Sequence, residues 1–166
     1  NDEIRALMSD NSDTAKIILI YIFTGLRANE LLNIPRKNIC LNTEFPYLVS
    51  GSKTDAGKNR VIPIHTFIEP FVKQLLMKKK KRIIDCTYYQ FSSIFSSFLT
   101  DHNMIKHTIH DTRDTFATLC QSNNVDLFIR KRILGHKMKD ITFDTYTSTV
   151  IETLYKEINK IKVPKP

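Results

Sequence analysis

The chain has 166 residues, the length of about one domain. Its 42% hydrophobic content, with only 4 Gly and 6 Pro, excludes disordered, collagen-like and low-complexity proteins. The 25 Lys and Arg against 17 Asp and Glu give a formal charge of +8, which favours a polyanionic partner, either nucleic acid or an acidic membrane surface.

Cysteine usage and hydropathy further restrict the class of protein to which the chain can belong. The three cysteines, Cys40, Cys86 and Cys120, are odd in number and widely spaced, so we expect neither a disulfide framework nor a zinc site. Such cysteine usage suits a reducing compartment, and we therefore expect a cytoplasmic protein of a bacterium or host cell. The most apolar stretch, residues 15–23, is shorter than the roughly 20 residues that cross a bilayer. Because the chain begins at Asn1 inside a helix-like segment, we expect a piece of a longer protein.

The first half of the chain predicts a buried helix followed by a small sheet. Ser12 and Asp13 can cap a helix over residues 14–23 that Gly25 ends, and a short helix over 28–32 follows. Near-continuous apolar content makes the first of these helices the predicted central pillar. Three short β-type runs with a glycine-flanked polar turn between the second and third predict a three-stranded antiparallel sheet over 38–41, 47–49 and 60–64.

The second half of the chain has helical spacing throughout. It predicts helices at 67–72, 88–99, 112–120, 125–134 and 141–150. The predicted fold is therefore mainly α with a small three-stranded antiparallel β-sheet, in one compact domain over residues 1–150.

The tail, residues 151–166, is predicted to form a separate amphipathic helix. Its apolar residues Leu154, Ile158 and Ile161 follow the i, i+4, i+7 spacing of one helix face. The sequence offers this stripe no obvious partner inside the domain. Docking on the same chain and transfer to a neighbouring copy are both compatible with the connecting length.

Several cationic side chains stand where they could hold an anion. Arg27 follows the pillar in the sequence TGLR at residues 24–27, and Glu30 lies one turn later, where it can pair with Arg27 and hold it in place. His110 and Arg113 lie three residues apart at a predicted helix start, a spacing that puts both on one face near the helix N-terminus. Taken singly, Arg27 is more simply interpreted as a surface arginine, and an ordinary amphipathic helix also explains His110 and Arg113.

Three further residues could carry chemistry. Lys53 lies in the polar turn between the predicted strands, His136 follows the helix-ending Gly135, and Tyr146 stands on a polar stretch that needs no aromatic residue for packing. A tyrosine hydroxyl can act as a nucleophile, but its ordinary pKa of about 10 means that cations or a base must assist it. Taken singly, a solvated lysine and a structural histidine remain the simpler interpretations.

Together and in this order, these residues resemble the phage-integrase family of tyrosine recombinases. The likeness covers residues 1–150 and rests on TGLR with Arg27, a hairpin lysine, HxxR followed by DTFAT, LGH, and a tyrosine ten residues later. It implies a mainly helical catalytic domain with a three-stranded sheet edge, the integrase-like fold of DNA breaking and rejoining enzymes. Thr112 and Asp114 depart from the commonest pattern, but neither is a catalytic position.

The resemblance implies a role for each residue in metal-free DNA strand cleavage without a cofactor. It assigns Arg27 and Arg113 to a clamp on the non-bridging oxygens of the scissile phosphate. His110 and His136 would hydrogen-bond the same phosphate, with His110 accepting the tyrosine proton.

The remaining two roles concern the bond that forms and the bond that breaks. Tyr146 would attack phosphorus and give a 3′-phosphotyrosine, while Lys53 would protonate the departing 5′-oxygen. No Asp/Glu cluster suited to Mg²⁺ is evident in the sequence, so side-chain cations must neutralise the phosphate instead.

The resemblance also implies the partners. We expect double-stranded DNA at recombination sites, an N-terminal DNA-binding domain absent from this sequence, self-association on DNA with exchange of the tail helix, and accessory DNA-bending or excision factors. A membrane is disfavoured because no one-sided basic amphipathic helix is present. Type IB topoisomerase-like nicking and closing, and a non-catalytic DNA-binding module, are the alternatives to integration or excision of a phage, conjugative element or transposon.

Overall fold

The computed structural model describes residues 2–50, 59–78, 81–136 and 148–165. Within them, the helices are α1 (Asp2–Ser9), α2 (Asp13–Thr24), α3 (Ala28–Leu32), α4 (Glu69–Met77), α5 (Tyr88–Asp101), α6 (Asp111–Ser122), α7 (Leu127–Leu134) and α8 (Ser148–Ile158). The strands are β1 (Ile39–Cys40), β2 (Tyr47–Ser50) and β3 (Arg60–Pro63), and the 3-10 helix Arg36–Asn38 precedes β1. The predicted fold class is confirmed.

Helix α2 is the central pillar that its apolar sequence predicts. The Ser12 hydroxyl caps it by accepting a hydrogen bond from the Ala15 amide at 3.2 Å, and Ile20, Tyr21 and Phe23 are completely buried. Contacts from α1, α4, α5 and α6 surround α2. A helix that is apolar on nearly every face is stable only in such a position.

Gly25 ends α2 and allows the end of this helix to pack closely against α6. Its φ of 63° lies in the left-handed region, and a Cβ added here would stand 2.5 Å from the ring of Phe116 in α6. Only glycine permits both the backbone turn and this close approach. The loop after α2 is thereby held against the helix that carries Arg113.

The sheet has the strand order β1, β2, β3, and both pairings are antiparallel. Ile39 lies opposite Leu48, and Ser50 lies opposite Arg60. Every residue of β3 is buried. The predicted sheet is confirmed, while the polar turn that carries Lys53 lies outside the described residues.

Two helix predictions need adjusted boundaries. The helix predicted at 67–72 spans Glu69–Met77, because Pro70 suits a first helical turn and the apolar spacing continues through Leu75. The helix predicted at 125–134 begins at Leu127, since the Asp126 carboxylate accepts a hydrogen bond from the Ile129 amide at 3.0 Å and caps it. Of the helix predicted at 141–150, residues 141–147 lie outside the described ranges.

The apolar stripe of the tail packs on the same chain, which is one of the two arrangements that the sequence leaves open. The predicted bounds 151–166 are wrong for the helix itself, which spans Ser148–Ile158. Leu154, Ile158 and Ile161 are buried in the main core, and α8 contacts β3. The Nε2 atom of His65, just after β3, lies 3.0 Å from the Ile161 carbonyl oxygen. The partners of the tail lie far back in the chain, His65 being 96 residues from Ile161, so no local sequence pattern reveals them.

The cysteines and the lengths of the apolar helices concern two further expectations from the sequence. All three cysteines are free, as their odd number and spacing predict. Among the described helices, none combines the length and the apolar character needed to cross a bilayer.

Candidate functional site

Arg27 occupies the start of α3, immediately after the turn at Gly25. The Glu30 carboxylate accepts hydrogen bonds from the Arg27 backbone amide (Oε2, 2.9 Å) and from Nη1 of its guanidinium (Oε1, 2.9 Å). An acidic residue that reaches back to the start of its own helix is a common capping arrangement. The Arg27 side chain remains 34% exposed, so its guanidinium is held on one edge and faces solvent on another.

Glu30 is a buried carboxylate between two arginines. Arg60 adds a two-point contact, with Nη1 3.0 Å from Oε1 and Nη2 2.7 Å from Oε2. Burial raises the pKa of Glu30, but the hydrogen bonds and charge of Arg60, followed by those of Arg27, outweigh it and bring the pKa to about 2. Glu30 is therefore ionised at neutral pH.

Arg60 is a site residue that the sequence analysis missed, because it was assigned only to a strand. Its Nε donates to the carbonyl oxygen of Ile133, near the end of α7, at 2.8 Å. The signal that could have found it is an arginine in a run that is otherwise apolar, residues 60–64. A charged residue in a buried strand needs a buried partner of opposite charge.

Arg113 is almost completely buried and is held by two helix ends. Its Nη1 donates to the Gly25 carbonyl oxygen at 2.7 Å, and its Nη2 donates to the carbonyl oxygen of Leu134, the last residue of α7. Carbonyls at helix ends lack helical partners and carry partial negative charge, so they suit a guanidinium. These two bonds use two of the five N–H donors of Arg113.

The neighbouring cations act on Arg113 as well. Burial lowers the pKa of its guanidinium to about 10, with a further contribution from the positive charges of Arg27 and Arg60. Arg113 is thus still charged at neutral pH. Bringing an anion to this position would relieve both the burial penalty and the repulsion among the three arginines.

His136 lies in the field of the same arginines. It follows Gly135, whose φ of 66° ends α7. Burial lowers the pKa of His136, and the charges of Arg113 and Arg27 lower it further. A histidine with a lowered pKa is neutral at pH 7 and above, so it keeps one N–H donor and one acceptor nitrogen.

Of the other three predicted residues, one is exposed near Arg113 in the chain and two lie outside the described ranges. His110 is exposed and lies immediately before α6, where its carbonyl oxygen accepts a hydrogen bond from the Arg113 amide at 2.9 Å. Lys53 and Tyr146 lie outside the described residues. The structure therefore brings together Arg27, Glu30 and Arg113 with Arg60, and places His136 beside them.

The group is suited to binding a phosphate-like anion. Three guanidiniums and one carboxylate leave a net charge of about +2, and the exposed part of Arg27 gives an anion access. Within the described ranges, no cluster of three or more His, Cys, Asp or Glu side chains could hold a metal ion.

Comparison with known proteins assigns the family. The sequence model of the phage integrase family matches residues 1–152. The chain belongs to the phage integrase family. It is 26% identical over 181 residues to a tyrosine recombinase XerA of Thermococcus onnurineus, covering 98% of this chain and 61% of the relative. It is 31% identical to a tyrosine recombinase XerA of Saccharolobus solfataricus, covering 87% of this chain and 48% of the relative.

Solved structures of integrases and recombinases share the fold. An integrase from mycobacterium phage Brujita superposes with a TM-score of 0.75 at 15% identity, over 98% of this chain and 56% of that one. A Tn1549 transposon integrase in complex with transposon right end DNA gives a TM-score of 0.68 at 16% identity, over 95% and 62%. The chain thus spans less than two thirds of the length of each of these relatives.

Proposed function

We propose that the chain is the catalytic domain, residues 1–150 with the tail 151–166, of a recombinase that integrates or excises a mobile element. It would cleave and rejoin DNA strands through a 3′-phosphotyrosine intermediate. The observation that carries this proposal is the anchoring of Arg27 by Glu30 and of Arg113 by two carbonyl oxygens, with guanidinium N–H donors to spare. Family membership and the order of the sequence motifs support it.

In the proposed reaction, the arginines neutralise the phosphodiester. A phosphodiester carries a negative charge that repels nucleophiles, and more negative charge collects on its non-bridging oxygens in the transition state. Arg113 is fixed by two carbonyl oxygens and Arg27 by Glu30. Donors that are fixed in this way need not reorganise as the charge develops, which makes them effective in catalysis.

Two proton transfers accompany cleavage of the DNA strand. The Tyr146 oxygen forms a bond to phosphorus as its proton passes to His110, and the bond from phosphorus to the 5′-oxygen breaks as Lys53 protonates that oxygen. His136, being neutral, donates its N–H to a phosphate oxygen. The phosphotyrosine keeps the energy of the broken ester, so that a 5′-hydroxyl can reverse the step without ATP.

A covalent-trapping experiment tests the proposal. The chain is incubated with duplexes that carry a randomised 20-base-pair segment, about two helical turns, and a sulfur in place of the bridging 5′-oxygen at its centre. The thiol released on cleavage rejoins poorly, so denaturant-resistant protein–DNA adducts accumulate and their sequences can be read. We expect wild type to form the adduct and Tyr146→Phe to form none, because the nucleophilic oxygen is gone.

Tyr155→Phe is the matched control, since Tyr155 is a half-buried tyrosine of α8 packed against Phe45. It should form adduct at the wild-type rate. Wild-type protein that binds DNA without any adduct would point instead to a non-catalytic DNA-binding module. Relaxation of supercoiled plasmid without any joined recombinant product would point to a type IB topoisomerase-like activity.

Self-association on DNA by exchange of α8 is part of the proposal, although α8 packs on its own chain here. Polar contacts join the tail to several parts of its own chain. The Asn159 Oδ1 atom accepts from the Thr66 amide and hydroxyl, each at 2.9 Å, and His65 contacts the Ile161 carbonyl. Three further hydrogen bonds run from the Asp126 amide to the Glu157 carboxylate, from the Lys162 amide to Asn123 Oδ1, and from Arg5 Nε to the Lys165 carbonyl. An exchanged helix would form the same contacts with a second copy. The free energy lost on leaving one chain is then recovered on the other.

A reversible cross-link tests the exchange. Because Thr66 and Asn159 face one another, Thr66→Cys/Asn159→Cys should join the tail to its own chain on oxidation. We expect the oxidised variant to occupy recombination sites only as single copies, and the reduced variant to assemble as wild type does in a gel-shift titration. Oxidised wild type controls for Cys40, Cys86 and Cys120. Equal assembly of the oxidised variant would show that the tail stays on its own chain, with accessory DNA-bending factors then the remaining route to assembly.

A further inference from the structure

Glu30 receives four hydrogen bonds, two from each of two arginines, but the two arginines differ in the groups that donate them. Arg60 supplies two from its guanidinium, whereas Arg27 supplies one from its guanidinium and one from its backbone amide. The side chains of Arg60 and Glu30 are both 5% exposed, while the side chain of Arg27 is 34% exposed. Arg60 and Glu30 are thus a buried pair, and Arg27 stands at the surface end of the group.

Two anions compete for Arg27 in the proposed reaction, the scissile phosphate and the Glu30 carboxylate. If Arg27 clamps the scissile phosphate, it can no longer serve as the main counter-charge of Glu30. A buried carboxylate without a cation is strongly unfavourable, so Glu30 alone would hold Arg27 back. A second cation that never leaves the carboxylate removes the conflict, and the two-point contact from Arg60 has that geometry.

Arg60 also joins the elements that carry the other site residues. Its Nε donates to Ile133, the residue before Leu134, whose carbonyl holds Arg113. Through Glu30 it reaches α3, and Arg60 itself lies in β3. Displacement of Arg60 would therefore move three elements of the site at once.

We infer that Arg60 is a positioning residue for strand cleavage, the permanent counter-ion of Glu30 that leaves Arg27 available to the phosphate. This inference rests on the proposed function, because it assumes that Arg27 contacts the scissile phosphate. In this role, Arg60 need not touch the reacting atoms. It acts through Glu30, and its removal should convert Glu30 from a support of Arg27 into a competitor for it.

The inference has a pH signature that a purely structural role lacks. Within the part of the chain that the structure describes, the charged groups that act on Glu30 are Arg27 at the start of α3, Arg60 from β3 and Arg113 from α6. Without Arg60, burial raises the pKa of Glu30 with less opposition, so acid protonates the carboxylate and releases Arg27. The rate of Arg60→Met relative to wild type should therefore rise as pH falls.

The experiment measures single-turnover adduct formation at saturating DNA, on the cleavable sequence recovered from the randomised pool, between pH 8 and pH 5. At pH 8 we expect Arg60→Met to be about 10²-fold slower than wild type, in the range of losing one transition-state donor. Its rate relative to wild type should recover at least about fivefold by pH 5, because each pH unit changes the ionised to neutral ratio tenfold. Arg60→Lys keeps the positive charge but cannot make the two-point guanidinium contact, so its cleavage rate should lie between those of Arg60→Met and wild type.

A double variant gives a second, independent readout. Arg60→Met/Glu30→Met replaces the buried pair by apolar residues of similar volume, which proteins often tolerate. It should cleave faster than Arg60→Met, and much faster than Arg27→Ala, because nothing then competes for Arg27. Arg5→Met, at an exposed arginine of α1, is the control and should match wild type.

The outcomes separate this inference from the proposed function. Absence of adduct with wild type contradicts the proposed function itself. With an active wild type, the inference is overturned if the relative rate of Arg60→Met falls on acidification, or if the double variant is no faster than the single one. Should Arg60→Met not fold, the double variant decides: a loss as large as that of Arg27→Ala would sink the inference.

Discussion

Replacing Arg113 by alanine should lower the rate of DNA strand cleavage by about 10³-fold, while DNA affinity falls by less than about tenfold. Arg113 is buried and held by the carbonyl oxygens of Gly25 and Leu134. Its remaining N–H donors are thus fixed before DNA arrives, and such donors act mainly on the transition state. Affinity should change little because many other cations contribute to the total charge of +8. Single-turnover adduct formation and a gel-shift titration measure the two effects.

Arg27→Ala provides the comparison that separates catalysis from folding. Removal of Arg113 leaves two buried carbonyls without their donor and should also lower the thermal midpoint. Arg27 is partly exposed, so its removal should slow cleavage to a similar degree at a smaller cost in stability. If both variants lose binding and cleavage in equal proportion, the two arginines serve general DNA affinity and not the phosphate clamp.

The residues that sequence could place were those with a local signal. Gly25 and Gly135 end helices in the left-handed conformation, and Ser12 caps α2, each of which is a short-range effect. The alternation of apolar runs and turns predicted the sheet and its connection to the helices. These features depend on neighbours along the chain, so one sequence suffices to find them.

Arg60 and the tail could not be placed, because their partners are distant in sequence. Arg60 lies 30 residues from Glu30 and 73 from Ile133, and His65 lies 96 residues from Ile161. An arginine in an apolar strand indicates a buried partner, yet 17 Asp and Glu residues are candidates for it. Likewise, an apolar helix face indicates burial without specifying which chain provides the groove.

The free energy of unfolding in acid measures the contacts of Glu30 with Arg27 and Arg60. The pKa of Glu30 falls from an ordinary value of 4.5 to about 2 in the folded chain. A carboxyl with a lowered folded-state pKa binds its proton more readily when unfolded. Its contribution to stability is therefore complete above pH 4.5 and is lost as pH falls from 4.5 to 2. The difference between the two pKa values corresponds to about 3 kcal/mol of unfolding free energy.

Glu30→Gln isolates this contribution from the other acid-sensitive groups. His65 also favours the folded chain only when neutral, since burial lowers its pKa, so wild type should already lose some stability below pH 6.5. The variant retains His65 and every other titrating group, and it differs only in lacking the Glu30 charge. At pH 7 it should be less stable than wild type by about 3 kcal/mol, because Arg60 is left buried without a counter-charge.

Urea unfolding at a series of pH values from 7 to 3 measures the gap between the two proteins. The gap should stay constant from pH 7 to about 5 and then narrow steadily, because protonated Glu30 resembles the glutamine that replaces it. A gap that persists unchanged to pH 3 would mean that Glu30 has an ordinary pKa in the folded chain. Arg60 would then not be its tight counter-ion, and Arg27 would have no buried carboxylate to hold it.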